Sequence, residues 1–234
     1  MISVYPASSR FSGDLGWLQF NFSFSFADYY DPDNVNFGPL RVFNEDYIQP
    51  GRGFGTHPHR DMEIVTVVLS GEVKHEDNSG GSGVIRSGEV QRMTAGSGIL
   101  HSEVNPSETE VANLLQLWFL PERKGLTPSY EQKAYDRAGM KNALAPIVSN
   151  TIRGESVLDI HQDMTIYLSE PDAGVTVAYE GDASRKLFLF VIAGSVSLNG
   201  GEPLGRSDSA RIADTAKLDV RALSDARFML IDLP

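Results

Sequence analysis

The sequence contains no cysteine. Without thiols, disulfide bonds and thiolate metal sites are excluded, and imidazole and carboxylate groups remain as donors for any metal ion. The chain also lacks an apolar run of the roughly 18 residues that a membrane-spanning helix needs. A basic head followed by an apolar segment, the mark of a secretory signal, is missing from the opening MISVYPASSRFSG. We therefore expect a cytoplasmic protein without a membrane span.

Basic residues are scarce, because 20 Lys and Arg stand against 31 Asp and Glu and give a net charge of −11. The densest basic stretches are the pairs Arg123-Lys124 and Arg185-Lys186, which form no stripe. Proteins that bind nucleic acid usually present a basic patch or stripe. The charge therefore argues against direct binding of nucleic acid, while it leaves a basic protein partner open.

Short apolar segments separated by turn residues run through the chain, for example Met62–Leu69, Leu114–Leu120 and Leu187–Ala193. Many short strands with regular turn punctuation predict an all-β sandwich or barrel. The length of 234 residues fits one large domain or two smaller ones. The one helix we predict lies near Ser129–Ala138, and Pro121–Ser149 is interpreted as the connector between two β units.

The second half of the chain repeats the pattern of the first. Val67–Val73 resembles Val191–Val196, with Gly71 matching Gly194, and Gly88–Thr94 resembles Ser207–Ala213. Carried outward, these matches set His57 and His59 against Glu180 and Asp182, and His101 and Glu103 against Val220 and Ala222. The only histidine after His101 is His161. The second half therefore cannot assemble a site with three histidines.

Potential metal ligands concentrate in two stretches. GRGFGTHPHRDME holds His57, His59 and Glu63, and GSGILHSEVN holds His101 and Glu103. On a strand, residues i and i+2 point to the same face, so each i, i+2 pair projects together. If the two strands face each other in a small barrel, three imidazoles and one or two carboxylates converge.

Glycines precede both pairs of potential ligands. Gly51, Gly53 and Gly55 come before the first pair, and Gly96 and Gly98 come before the second. An isolated HxH is usually a surface or packing pair, but two glycine-introduced pairs in an all-β chain favour a metal site. Three neutral imidazoles and a carboxylate suit a borderline divalent ion such as Fe(II), Ni(II), Mn(II) or Cu(II). Such an ion keeps one or two positions open for substrate and O2, whereas structural zinc sites are closed.

The remaining histidines are given other roles. His75, in the sequence KHED beside a turn, is interpreted as a solvated hairpin residue. His161, in IHQDM, is interpreted as a hydrogen-bonded residue of the second unit or of the contact between domains.

The motif spacing resembles that of the cupins. Gly51-x5-His57-x-His59-x3-Glu63, followed by Gly71, resembles the first cupin motif, and Gly88-Glu89 with Gly98-x2-His101-x3-Asn105 resembles the second. Gly71 comes one residue late, Gly96 stands where proline is usual, and Gly88 lies two residues early. These departures, with the segments THPHRDMEIVTVVLSGEVKHED, MTAGSGILHSE, FADYYDP and TPSYEQ, resemble the pirin-like proteins of the bacterial quercetin 2,3-dioxygenase type.

The resemblance implies a bicupin, with two facing β-barrel (jelly-roll) domains and a metal in the N-terminal one only. We expect a metal-binding cupin domain over residues 1–135 and a degenerate cupin domain over residues 136–234. The ligands that match are His57, His59, His101 and Glu103. Glu63 corresponds to a glutamate that is a ligand in many cupins but not generally in pirins, so we place it behind a ligating imidazole that it would orient.

The function that the resemblance implies is a metal-dependent dioxygenase that opens the heterocyclic ring of a flavonol such as quercetin with O2. One divalent transition metal is expected, with Fe(II) first and Ni, Cu, Mn, Co or Zn as alternatives. Glu103 or Glu63 would take the proton of the flavonol 3-hydroxyl. Phe54, Trp118 and Phe119 are candidates to line an apolar substrate pocket, with ordinary core packing as the alternative for each.

Two alternatives remain open. Pirins include members described as regulators, in which the metal centre would alter the contact with a protein partner rather than turn over a substrate. The absence of a basic cluster of the nuclear type favours the enzyme. A sugar-isomerase-like or other cupin reaction would also need the metal but not O2.

Overall fold

β-Strands make up nearly all of the regular structure in the computed structural model, which describes residues Met1–Pro234. The all-β prediction is confirmed. The strands are β1 Ile2–Tyr5, β2 Phe11–Asp14, β3 Leu18–Phe22, β4 Leu40–Ile48, β5 Gly53–His59, β6 Glu63–Ser70, β7 Glu72–Asp77, β8 Ser82–Arg86, β9 Glu89–Thr94, β10 Ile99–Val104, β11 Ala112–Phe119, β12 Ser129–Ala134, β13 Ala145–Ser149, β14 Thr165–Ser169, β15 Thr176–Glu180, β16 Lys186–Ala193, β17 Val196–Leu198, β18 Pro203–Leu204, β19 Ser209–Ile212, β20 Lys217–Ala222 and β21 Arg227–Leu233. The only helices are two single 3-10 turns, Ala7–Ser9 and Ala138–Met140. No helix is long and apolar enough to cross a membrane.

The helix predicted near Ser129–Ala138 is wrong, because its first six residues form β12. This strand pairs antiparallel with β9, from Ser129 opposite Thr94 to Ala134 opposite Glu89. Pairing with a neighbouring strand outweighs a weak local preference, since strand formation depends strongly on context.

The chain forms two compact units, each built from more than one segment. The N-terminal unit comprises Phe11–Tyr135 and Leu158–Gln162, and the C-terminal unit comprises Met1–Arg10, Asp136–Val157 and Asp163–Pro234. One break therefore falls after residue 135, where the sequence placed the boundary. The first residues differ from that expectation, because β1 pairs with β19 inside the C-terminal unit.

Two antiparallel sheets pack together in the N-terminal unit. One has seven strands in the order β12-β9-β6-β11-β4-β3-β2, and the other has four in the order β5-β10-β7-β8. Their apolar core joins Val73 and Ile85 of the smaller sheet to Ile48, Val68 and Leu114 of the larger one. The smaller sheet carries the stretches that hold the predicted metal ligands.

The C-terminal unit repeats this strand order, with sheets β1-β19-β16-β21-β14-β13 and β15-β20-β17-β18. The predicted internal repeat is confirmed at its glycines, because Gly71 and Gly194 both have φ of 71°. A Cβ at Gly71 would lie 2.9 Å from Cα of Ala112, and one at Gly194 would lie 2.8 Å from Cα of Ala226. Both turns therefore require glycine for the same two reasons, a left-handed backbone and a close neighbouring strand.

The interiors of the two units differ where the metal ligands would lie. His101 of β10 pairs with His57 of β5. At the corresponding point of the C-terminal unit, Val220 of β20 pairs with Val177 of β15, and both valines belong to one apolar core cluster. The repeat set Val220 against His101, and the partner of Val220 on β15 is Val177, not the Glu180 that the repeat set against His57.

Candidate metal centre

Three imidazoles converge on the smaller sheet of the N-terminal unit. His57 and His59 project from β5 on the same side, and His101 projects from the neighbouring β10. The Nε2 atoms of His57 and His101 lie 3.0 Å apart. The ring of His59 lies 4.8 Å from each of the other two rings. One ring nitrogen from each histidine therefore lies within 4.8 Å of the others, as ligands of one ion would.

The surroundings keep the imidazoles of His59 and His101 neutral. Burial lowers the pKa of His59 to about 4, helped by the neighbouring charges that His101 and His57 would carry. Burial also lowers the pKa of His101 to about 3, helped by His57 and His75. Both rings therefore carry lone pairs at neutral pH, which is the form in which histidine binds metals.

Glu103 lies next to the imidazoles and is held by two polar side chains. Its Oε2 accepts a hydrogen bond of 2.7 Å from Nε2 of Gln116, and its Oε1 lies 3.3 Å from the Thr66 hydroxyl. The Thr66 hydroxyl lies closer, at 2.9 Å, to Oε1 of Gln116. A carboxylate oxygen of Glu103 lies within 4.8 Å of ring nitrogens of His101 and His75, whereas the group formed by His57, His59 and His101 does not include it. Glu103, the predicted fourth ligand, therefore lies close to His101 but is not grouped with His57 and His59.

The donor set fits a divalent transition metal. Nδ1 of His57 lies 2.8 Å from the carbonyl oxygen of Gly55, which can only accept. Nδ1 therefore carries the hydrogen of the neutral ring, and Nε2 turns its lone pair towards Nε2 of His101. Imidazole nitrogens with a nearby carboxylate suit Fe(II), Ni(II) and similar ions.

His75 is fully buried, so its interpretation as a solvated hairpin residue is wrong. Its strand, β7, lies between β8 and β10 in the smaller sheet, and its side chain points inward. Nε2 of His75 lies 2.9 Å from Oδ2 of Asp77, and Nδ1 lies 3.3 Å from Nδ1 of His101. Burial opposes ionisation of Asp77, but hydrogen bonds from His75, Ser79 and Gly81 outweigh it and hold the pKa of the carboxyl below its usual value.

Glu63 is not placed to orient a ligating imidazole. Its Oε2 accepts hydrogen bonds from the Thr94 hydroxyl and from the backbone N–H of His161, both at 3.1 Å, and its Oε1 has no partner. Burial raises the pKa of this carboxyl. Its contacts join β6 to the segment Leu158–Gln162 within the N-terminal unit, which is a structural role. His161 is hydrogen-bonded, as predicted, but within the N-terminal unit.

A cavity of about 390 Å³ opens beside the imidazoles. Its lining comprises Trp17, Phe26, Asn44, Asp46, Gly53, Phe54, Gly55, His57, His59, Glu103, Gln116 and Trp118. Phe54 and Trp118 thus lie where the sequence predicted. Phe119 is fully buried and does not line the cavity, because it follows Trp118 on a strand and points to the opposite face.

Asn44 and Gln116 of the cavity lining were missed from the sequence, and so was Thr66, which is hydrogen-bonded to Gln116. Thr66 pairs with Gln116, and Gln116 pairs with Asn44, so the three side chains form one polar row on the inner face of the larger sheet. The available signal was a polar residue in the middle of an otherwise apolar strand, as Gln116 is in ANLLQLWF. A buried polar group of this kind needs a partner, and here the partner of Gln116 is Glu103.

Comparison with known proteins gives consistent matches. A family model described as Pirin matches residues 5–119, and one described as Quercetinase C-terminal cupin domain matches residues 146–233. The chain is 42% identical over 234 residues to a protein of Escherichia coli (strain K12) named quercetin 2,3-dioxygenase, covering 100% of this chain and 99% of that protein. It is 39% identical over 232 residues to a pirin-like protein of Caulobacter vibrioides, covering 99% of each. The solved structure of the bacterial pirin YhhW from Escherichia coli in complex with nickel(II) is similar with a TM-score of 0.94 and 41% identity, covering 100% of this chain and 99% of that one.

Removing a ligating imidazole should remove the metal and leave the fold intact. We expect His57→Ala and His101→Ala to lose the bound metal, measured by elemental analysis, while circular dichroism shows a folded protein. His161→Ala is the matched control and should keep the metal, because its side chain contacts Thr94 and Glu63 rather than the ligands. Retention of one equivalent of metal in both ligand variants would place the site elsewhere.

The neutral imidazoles should also make the metal-free protein sensitive to acid. Between about pH 6.5 and pH 4 the unfolded chain holds protons on His59 and His101 that the folded chain does not. Since the unfolded state binds more protons there, the free energy of unfolding should fall as the pH falls through this window. His101→Gln lacks one of these groups, so urea denaturation in the presence of a chelator should show a weaker loss. Equal losses for the two proteins would contradict the depressed pKa of His101.

Proposed function

The chain belongs to the pirin family, and from this we propose that it is a metal-dependent dioxygenase that opens the heterocyclic ring of a flavonol such as quercetin with O2. The observation that carries the proposal is the cavity with aromatic walls, onto which His57, His59 and Glu103 open. Its volume of about 390 Å³ lies within the range of small-molecule sites. The naming of the Escherichia coli relative as quercetin 2,3-dioxygenase supports the same substrate class.

We assign the metal to His57, His59, His101 and Glu103, as one divalent transition ion. When bound there, the ion would supply a Lewis acid that lowers the pKa of the flavonol 3-hydroxyl. Fe(II) is the first metal to test, and the nickel(II) complex of the related pirin makes Ni(II) the second. The absence of an equivalent imidazole group in the C-terminal unit supports one ion per chain.

Glu103 is the residue we assign to take the hydroxyl proton. Gln116 donates to its Oε2, and the Thr66 hydroxyl donates to Gln116 at the shorter of its two distances, so Oε1 of Glu103 is the less engaged oxygen. Because Gln116 holds one oxygen of Glu103, the carboxylate is oriented for proton transfer through the other. Glu63 is not retained as a base, because it lies outside the cavity lining and is bound to Thr94 and His161.

The aromatic walls would hold a flat ring system and exclude water from it. Trp17 and Phe54 meet edge to face at 5.3 Å, and Phe26 and Trp118 meet edge to face at 5.2 Å. Trp118 also meets the ring of His59 at 4.7 Å. The aromatic surface therefore continues up to the imidazoles, so a bound planar substrate would reach them.

Asn44 gives this apolar cavity an unpaired polar group. The residue is only 2% exposed, and its Oδ1 has no hydrogen-bond partner. An amide oxygen that is buried without a partner is costly, and a donor on a ligand would relieve the cost. We therefore infer that Asn44 accepts a hydrogen bond from a phenolic hydroxyl of the substrate.

The activity is tested by loading metal-free protein with Fe(II), Ni(II) or Cu(II) and following the loss of quercetin absorption in air and under nitrogen. Turnover in air with at least one metal, absent under nitrogen and absent in His101→Ala, is the expected result. Turnover without O2 would exclude a dioxygenase. No turnover with any of the metals would contradict the proposal and favour the non-catalytic, regulatory alternative.

The role of Asn44 is tested by Asn44→Leu, which keeps the approximate volume but removes the acceptor. We expect kcat/KM for quercetin to fall by a factor of about 5. This factor corresponds to about 1 kcal/mol of transition-state stabilisation, the typical net value of one hydrogen bond. The change should vanish for a flavonol without hydroxyl groups on its outer rings. An equal loss for both substrates would show that Asn44 shapes the cavity and does not bind the hydroxyl.

A further inference from the structure

Three side chains form a buried hydrogen-bonded series that ends at the metal centre. Oδ2 of Asp77 lies 2.9 Å from Nε2 of His75, and Nδ1 of His75 lies 3.3 Å from Nδ1 of His101. Nε2 of His101, on the opposite side of the same ring, faces His57. The ring of His101 thus stands between the series and the ligands.

From this geometry we propose that His75 and Asp77 are positioning residues, which hold His101 in the tautomer and orientation that present Nε2 to the metal. The inference rests on the proposed role of His101 as a ligand, but not on the reaction that the centre performs.

The donor and acceptor roles fix the tautomer along the series. Nε2 of His101 can bind a metal only through its lone pair, so the ring hydrogen must lie on Nδ1 and must be donated. The acceptor that faces it is Nδ1 of His75, which accepts only if the hydrogen of that ring lies on Nε2. Asp77 provides the carboxylate that receives the Nε2 hydrogen of His75. Outer partners of this kind orient metal-binding histidines and raise their basicity.

Asp77 is itself fixed by the turn that follows β7. Its Oδ1 accepts hydrogen bonds from the backbone N–H of Ser79 at 2.8 Å, from the Ser79 hydroxyl at 2.7 Å and from the N–H of Gly81 at 2.9 Å. These contacts engage one carboxylate oxygen and leave the other directed at His75. The far end of the series is therefore immobile before any metal binds.

Packing prevents the ring of His75 from turning away. The residue has no exposed surface, and the ring of Tyr130 stacks on it at 4.6 Å with an angle of 25° between the planes. A flip of His75 would place carbon atoms opposite Asp77 and His101 and break both hydrogen bonds. The stacking therefore keeps the acceptor in place.

The C-terminal unit shows that the fold does not require this series. Asp77 pairs with His101, and His75 pairs with Glu103. Counted from the matching glycines Gly71 and Gly194, Leu198 and Gly200 stand in place of His75 and Asp77. Leu198 pairs with Val220 within the apolar core. The unit without ligating histidines thus also lacks the pair behind them, although its sheets have the same strand order. His75 and Asp77 therefore belong with the metal centre and not with the framework.

A second reading makes His75 a ligand, because His75, His101 and Glu103 also lie within 4.8 Å of one another. The contacts favour the positioning role, since both nitrogens of His75 already face hydrogen-bond partners. Two measurements separate the readings. An additional ion beside His75 would give two equivalents per chain, and a single ion held by His75 would bind Nδ1 of His101 instead of Nε2.

The test compares His75→Gln with His75→Leu in the full-length protein. Glutamine can accept from His101 through its oxygen and donate to Asp77 through its nitrogen, whereas leucine fills the space without either bond. By competition with a chelator, we expect one equivalent of Ni(II) in each protein, with affinity reduced about 10- to 100-fold in His75→Leu and largely restored in His75→Gln. Unfolding midpoints measured without metal serve as the control for folding.

The tautomer gives a readout that does not depend on affinity. In the zinc-loaded wild type, nitrogen NMR of the imidazoles should show a hydrogen on Nδ1 of His101 and on Nε2 of His75. Metal bound through Nδ1 of His101, two equivalents of Ni(II), unchanged affinity in His75→Leu or equal losses in both variants would each overturn the positioning role. A wild type that binds no Ni(II) would instead contradict the ligand assignment, and this inference with it.

Discussion

The candidate metal centre depends on the antiparallel pairing of β5 with β10. This pairing sets His57 directly opposite His101, and the alternation of side chains along β5 adds His59 on the same side. The Nε2 atoms of His57 and His101 lie 3.0 Å apart. At this distance two lone pairs repel each other unless a cation or a proton lies between them. The register of one strand pair thus favours a cation between the two rings, and the negative charge of the neighbouring Glu103 carboxylate favours it further.

Side chains of the larger sheet hold the carboxylate of Glu103, which belongs to the smaller sheet. Thr66 donates to Gln116, and Gln116 donates to Glu103, so the orientation of the carboxylate is set by two strands that contribute no ligand. Behind the imidazoles, Asp77 lies within hydrogen-bond distance of His75, and His75 lies within hydrogen-bond distance of His101. The centre is therefore supported from both sheets, which places its geometry under the control of the rigid framework and not of flexible loops.

The two units share a strand order but differ in the side chains that point into their interiors. They have the same strand order and the same glycine turns at Gly71 and Gly194, yet the C-terminal unit fills its interior with apolar side chains. A few inward residues distinguish the candidate binding site from an ordinary core, while the strand order of the two units is the same. The proposed function therefore rests on those residues and on the cavity beside them, not on the shared strand order.

The sequence alone determined the all-β class, the repeat and the two histidine pairs, because strand alternation and glycine turns are local properties of the chain. It also located Phe54 and Trp118. Tertiary structure decided what depends on pairing between distant segments: the burial of His75, the partners of Glu63, the exclusion of Phe119 from the cavity and the strand in place of a helix at Ser129–Ala134. The local sequence around a hairpin histidine does not distinguish a strand at the edge of a sheet from a strand inside it. Only the position of β7 between β8 and β10 places His75 behind the metal centre.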